Sequence, residues 1–334
     1  LPALMRLFAA NRDALDGLET GWARLSQPFL AMLRVWNRNT RSGSSRNIRA
    51  HYDLGNDFFR TFLDETLTYS CGIFSDDRTS MRDASIEKYD RICKKLELTS
   101  DDHVIEIGSG WGGFAIHAAS IYGCRVTTTT ISVEQHRFAS RLIAEAGLSD
   151  RVDVLLKDYR DLEGTYDKLV SIEMVEAVGH QFLEDYFQKC ADLLAPHGRA
   201  AIQAITVRDD WYDPKQRQID FIKRYIFPGS FIPSVSALSS AAGKTDMRIV
   251  HFEDQTPHYA ETLRRWRAAF MENWPEIRAL GFDAQFRRLW DFYFCYCEGG
   301  FDEAILGCAQ IVWAKPASKG VIDARLHERI EAVA

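Results

Sequence analysis

The chain has 334 residues, 26% charged and 46% apolar, with 47 acidic against 41 basic side chains and a formal charge of −6. That length holds one large domain or two ordinary ones around a sizeable core. The acidic balance excludes a general nucleic-acid binder, and no apolar run reaches the roughly 18 residues of a membrane span.

Residues 1–45 read as N-terminal helices and close on "NRNTRSGSSRN", a linker by composition. Charge is uneven here: no acidic residue lies between Glu19 and Asp53, while Arg24, Arg34, Arg38, Arg41, Arg46 and Arg49 do. Phe29, Leu30, Leu33 and Trp36 precede or interleave with them at helical spacing. Such a segment either lies on an anionic membrane surface or packs on the body with a solvated arginine face. The chain opens at Leu1, and no signal-peptide pattern is visible. Residues 51–98 read as helical and aromatic-rich, ending in "SIEKYDRICKKLEL".

From residue 102 the pattern alternates. "HVIEIG", "CRVTTTTI", "RVDVLL", "YDKLVSIE" and "GRAAIQAITV" read as strands. Helices through "GFAIHAASIYG", from Ser132 to about 147, and from about 181 to 194 separate them. Strands alternating with helices predict a parallel, doubly wound sheet. Residues 207–240, with "YIFPGSFIPS" at their centre, read as an insertion over the site. "MRIVHFED" and "ILGCAQIVWAKP" close the sheet, with helices over about 258–280 and 283–299 between them. This gives a catalytic domain over 46–318 and a C-terminal tail over 319–334.

"VIEIGSGWGGFA" follows a strand and opens a helix, and Gly108, Gly110 and Gly113 match the dinucleotide fingerprint. A nicotinamide or flavin nucleotide calls for an acid at the end of the second strand to hold its ribose. That strand ends in "TTTTISVEQ" instead. The acid stands before the first glycine, as Glu106; Gly112 extends the glycine run, and Asp158 after the third strand is placed to reach an adenine amino group. Together these favour S-adenosylmethionine over a dinucleotide.

The residues at this point resemble the cyclopropane-fatty-acyl-phospholipid synthases and mycolic acid cyclopropane synthases. The matching pieces are "HYDLGNDFF", "LDETLTYSCGIF", "VIEIGSGWGGFA", "TISVEQ", "SIEMVEAVG", "YIFPGSFIPS", "PHYAETL" and "FYFCYCEGGF", in order from about residue 47 to 315. The resemblance implies a class I methyltransferase fold (α/β, Rossmann-like), a donor S-adenosylmethionine, and an acceptor double bond in an unsaturated phospholipid acyl chain. It places Tyr69, Ser70, Gly108, Gly110, Thr130, Gln135 and Tyr159 against the donor. It also implies a cyclopropane product, formed through a carbocation deprotonated by bound bicarbonate. The lining of that ion carries over onto Cys71, Glu176, Ile205 (through its backbone) and Tyr259. The expected setting is the cytoplasmic face of a membrane, on its surface, and a homodimer is an option for the assembly.

Two positions depart from the pattern. Where many relatives carry a histidine ligand to bicarbonate, this chain has Gln203, which hydrogen-bonds but cannot become a cation. "EAVG" also replaces "EHVG". The departures leave open a product methylated without ring closure. Glu176, in an otherwise apolar run, is costly unless paired, and Glu173 is expected on the same helical face. The seven cysteines, at 71, 93, 124, 190, 295, 297 and 308, form no paired metal spacing and read as reduced structural thiols. Cys71 itself reads as a shaper of the anion site or a buried structural thiol, not a nucleophile. Tyr225, Phe227, Phe231, Tyr293 and Phe294 are candidates for the acyl tunnel, with ordinary core as the competing assignment. His51 and Tyr52 are candidates for the cofactor mouth.

Overall fold

The computed structural model describes residues 1–10, 39–40, 43, 54–213 and 221–318. The arginine-rich segment, His51, Tyr52 and the tail over 319–334 lie outside the described residues, apart from Asn39, Thr40 and Gly43.

Seven strands form one sheet: β1 (His103–Ile107), β2 (Arg125–Thr130), β3 (Val152–Leu156), β4 (Tyr166–Ile172), β5 (Leu194–Val207), β6 (Arg248–Asp254) and β7 (Leu306–Ala314). Their spatial order is β3-β2-β1-β4-β5-β7-β6. The first five are parallel, as the strand–helix alternation predicts. The sheet is nevertheless mixed, because β7 inserts antiparallel between β5 and β6. Three helices lie between β6 and β7 where the sequence suggests two, and the chain re-enters the sheet at the end it left, so that β7 runs antiparallel to both neighbours.

Local chemistry sets the elements around the sheet. The Ser132 hydroxyl caps α5 (Val133–Glu145), accepting from the Gln135 amide at 3.3 Å. All four threonines of β2 are buried, yet each hydroxyl has a partner: His103, Glu106, the Lys157 carbonyl and Gln135 in turn. Hydroxyls satisfied in this way let a polar run form a central strand.

The stretch 51–98 departs from the helical expectation. Only α2 (Asn56–Arg60) and α3 (Met81–Leu96) form there among the described residues, and "TYSCGIF" between them is extended. Asp64 and Asp76 turn the chain through side-chain bonds to nearby backbone amides, and Ser80 caps α3 from its amino end. The insertion carries short helices α7 (Phe221–Tyr225) and α8 (Val235–Ala242) among its described residues.

Helices α4 (Gly113–His117), α6 (Leu183–Leu193) and α10 (Trp274–Ala279) also form, and three others complete the cover: α1 (Pro2–Ala10), α9 (Thr256–Glu272) and α11 (Ala284–Asp302). Their aromatic core includes Phe58, Phe62, Phe270, Trp290 and Phe294, with Phe58 edge-on to Trp290 at 4.7 Å. Truncating any one of these to alanine is expected to cost about 3–5 kcal/mol. This core stands beside the carboxyl ends of the strands, where open α/β sheets bind their ligands.

Candidate active site

One cavity of about 970 Å³ runs from the glycine loop to the aromatic helices α9 and α11. At its first end, Gly108 and Gly110 hold φ angles of +99° and +49°. A Cβ on Gly108 would meet Met174 at 3.0 Å, whereas one on Gly110 would project into open space. The second glycine therefore leaves a cradle where a ligand can approach backbone. Gly112 (φ +94°) does not face the cavity; it lies against Ala139 and starts the helix at Gly113.

The other residues expected at the donor line this same end: Tyr69, Ser70, Glu106, Thr130, Gln135, Asp158 and Tyr159. The parallel register sets Glu106 opposite Thr128, whose hydroxyl donates to it at 2.6 Å. Burial pushes the Glu106 carboxyl up to about 8, against that hydrogen bond. Thr130 donates to the Gln135 side-chain carbonyl at 2.8 Å, which leaves the Gln135 amide hydrogens to a ligand. Asp158 accepts from Arg160 through both oxygens (2.8 and 2.6 Å), so it reaches an adenine only with its remaining lone pairs.

The far end is built around two carboxylates. Glu173 and Glu176 do not share a helical face. Glu173 follows β4 directly in the left-handed region at φ 49°, and Glu176 stands in the short helical turn Val175–Ala177. An L residue held there is a local strain, and such strain persists where surrounding contacts over-determine it. Those contacts are visible. Glu173 Oε1 accepts from the Cys71 backbone amide and from Gln203 Nε2, each at 2.8 Å; Oε2 accepts from the Tyr259 hydroxyl at 2.5 Å.

A chain of oriented groups stands behind it. Gln310 Nε2 donates to Gln203 Oε1 at 2.9 Å, and Lys95 Nζ donates to Gln310 Oε1 while pairing with Glu253. Lysine only donates, so it fixes both amides with their NH2 groups toward Glu173. Burial raises the Glu173 carboxyl above its ordinary range, opposed by Tyr259, Lys88, the Cys71 amide and Gln203.

Glu176 is served differently. Its Oε1 accepts from the Ile205 amide at 2.5 Å, while its buried Oε2 has no partner among the described residues. Burial and then the Glu173 charge push it up to about 8, so it is largely protonated at neutral pH.

Of the residues expected around bicarbonate, Glu176, Ile205 and Tyr259 line the cavity, while Cys71 and Gln203 stand behind Glu173. Cys71 contributes its backbone amide. Its thiol is fully buried and donates to the Gly72 carbonyl at 3.3 Å, the place of a structural thiol. The seven cysteines are all free.

A bicarbonate ion does not fit this arrangement. The Cys71 amide, Gln203, Tyr259 and the Ile205 amide already donate to Glu173 and Glu176. The ion would also stand against a carboxylate in a buried site.

Of the aromatics that the sequence marks, Phe227 and Tyr293 line the cavity. Phe231 and Phe294 are fully buried core, and Tyr225 is exposed. Trp111, Phe292, Tyr296 and Phe301 line it too; they fall within the quoted pieces "VIEIGSGWGGFA" and "FYFCYCEGGF", although the sequence does not single them out as tunnel aromatics. Lys88 is a further addition. It is fully buried, donates to Ser70 Oγ at 2.5 Å, and is pushed down to about 8 by burial, against the pull of Glu173. Its signal is present in the sequence, because Lys88 falls on the apolar stripe of α3 with Ala84, Ser85, Ile92 and Cys93.

Comparison with known proteins agrees with this geometry. The family described as mycolic acid cyclopropane synthetase matches residues 39–311. A tuberculostearic acid methyltransferase of Mycobacterium tuberculosis is 40% identical over 93% of this chain and 74% of its own length. The cyclopropane-fatty-acyl-phospholipid synthase of Escherichia coli K12 is 33% identical over 89% of this chain and 75% of its own. A solved mycolic acid cyclopropane synthase, complexed with S-adenosylhomocysteine (SAH) and CTAB, shares 30% identity at a TM-score of 0.76, covering 81% of this chain and 98% of its own. With the glycine cradle, the sheet order and these matches in agreement, the chain belongs to the mycolic acid cyclopropane synthetase family and is an S-adenosylmethionine-dependent methyltransferase.

Proposed function

We propose that this enzyme methylates the double bond of an unsaturated phospholipid acyl chain and releases the chain without closing a ring. The observation that carries the reading is one cavity that joins the glycine cradle to an aromatic end over two buried carboxylates. Gly110, Thr130, Gln135 and Asp158 hold the donor, which supplies an electrophilic methyl group when bound. An isolated alkene is a weak nucleophile, so Phe227, Tyr293, Leu263 and Ile305 must hold it in line with that methyl and exclude water. Attack leaves a carbocation on the acyl chain. The faces of Tyr69, Phe227 and Tyr293 stabilise it, Tyr69 stacking on Phe227 at 6.2 Å and hydrogen-bonding Tyr293 at 3.0 Å.

Two observations support a product without a ring. Gln203 stands where the family resemblance leads one to expect histidine, and the identity is higher to a relative named a methyltransferase (40%) than to one named a cyclopropane synthase (33%). The second reading, ring closure, is supported by the match to solved cyclopropane synthases. Access from a bilayer is supported by α1. Its Met5 lines the cavity, while Leu1, Leu4 and Leu7 are 45–57% exposed around it. No helix among the described residues is long and apolar enough to cross a membrane.

The test is incubation with labelled donor and vesicles of unsaturated phospholipid, followed by fragmentation mass spectrometry of the acyl chains. A gain of one methylene unit with a retained double bond is expected. The same gain without unsaturation selects the ring, and absence of label from lipid overturns both.

A further inference from the structure

We propose that the carboxylate of Glu173 is the resident base of this active site, taking the proton from the methylated lipid cation in the place a bicarbonate ion would otherwise fill. This rests on the lipid methylation proposed above. Glu173 receives the donors that the family resemblance allots to bicarbonate: the Cys71 amide, the Tyr259 hydroxyl and the side chain at 203. Its side chain lines the cavity, whereas two of those donors sit behind it.

The two oxygens are not equivalent. Oε1 accepts from the Cys71 amide, from Gln203 and, at 4.0 Å, from the Cys308 thiol, while among the described residues Oε2 accepts only from Tyr259. Oε2 therefore keeps a lone pair for a proton. The chain from Lys95 through Gln310 to Gln203 presents only NH2 groups to Oε1, which favours the ionised carboxylate over the acid. Tyr259 donates on the other side, and Lys88 adds a positive field.

The step balances. The donor's methyl bonds to one olefinic carbon and the positive charge falls on its neighbour. A hydride shift from the methylated carbon to that neighbour moves the charge to the methyl-bearing carbon. A methyl C–H bond then breaks, its electron pair forms the new C=C, and the proton goes to Oε2. One methyl group enters, one proton leaves, and no redox partner is required. Ring closure would release the same proton to the same oxygen, so the base does not depend on the product.

The left-handed backbone at residue 173 (φ 49°) suits glycine, so Glu173→Gly removes the carboxylate without opposing the local conformation. Four experiments follow. In CO2-free buffer the wild-type enzyme should keep its turnover. Glu173→Gln should lose about 10²–10⁴-fold in kcat with SAH affinity unchanged, the usual worth of a positioned base. Glu173→Gly should be inactive without bicarbonate and recover when it is added. Independently of any lipid, bicarbonate should raise the melting temperature of SAH-loaded Glu173→Gly, relative to chloride at equal ionic strength, and leave the wild type unmoved. Loss of wild-type turnover on removing CO2, or Glu173→Gln within threefold of wild type, would overturn the assignment. So would a bicarbonate-dependent melting shift in the wild type or in neither protein. If the wild type labels no lipid, the lipid reading fails while the melting experiment still decides what fills the nest.

Discussion

The two ends of the cavity are made from different material. The donor end is built around backbone geometry: two glycines at positive φ, and a strand register that sets Glu106 beside Thr128. The base end is mostly side chains from distant places, with Glu173 held by residues 71, 203 and 259 and braced through 310 and 95. The centre of the first is set by residues close together in the sequence, from Glu106 to Gly110. The second exists only when six segments pack together.

That contrast can be broken at either end. Apart from the changes at Glu173 itself, the largest effect is expected at the donor end. Gly110→Val places a β-branched side chain at φ +49° and fills the open cradle, so SAH affinity should fall by about two orders of magnitude. Calorimetry reads this directly, and an unchanged Kd would show that the donor lies elsewhere. At the base end, Lys95→Met removes the group that orients both amides. We expect kcat to fall about tenfold with SAH affinity unchanged. Burial raises the Glu173 carboxyl, so the catalytic base is lost as pH falls through a value above the ordinary carboxylate range. In Lys95→Met the amides are free to flip and offer a carbonyl oxygen, which favours the acid. The acid limb of the pH–rate profile should move to still higher pH, and an unmoved limb would separate Lys95 from the site.

The smallest effect concerns stability. The Glu106 carboxyl titrates at about 8 in the fold against 4.5 as its ordinary value. Because the folded value is raised, the acid form is the one the fold favours. Its contribution is present below the ordinary value and is lost as pH climbs from about 5 to 8. Glu106→Gln mimics the neutral form, so its melting temperature should fall less over that range. Each kcal/mol so retained is about 2–4 °C for a domain of this size. Parallel melting curves for the two proteins would mean that Glu106 does not control that slope.

Much of the donor end is legible in the sequence. The buried-strand runs, the cap at Ser132 and the "GSGWGG" loop are local signals, written in neighbouring residues. The base end is legible only in part. Glu176 stands out as a carboxylate in an apolar run, and Tyr259 and Gln203 follow from the family resemblance. Nothing in the sequence distinguishes Glu173 from a structural acid, and the helical face expected for the pair does not form. Cys71 draws attention through its thiol, whereas its backbone amide does the binding. A backbone donor leaves no mark in a side-chain sequence.

By itself, then, the sequence determined the element types, the strand-to-helix rhythm and the donor cradle. Each depends on φ preference, capping or periodicity within a few residues. Only the tertiary structure decided that β7 runs antiparallel between β5 and β6. That placement sets Gln310 opposite Gln203 and thereby points an amide at Glu173. The physical reason is that a buried charge is stabilised by whichever donors happen to surround it, and here those come from parts of the chain up to about two hundred residues apart.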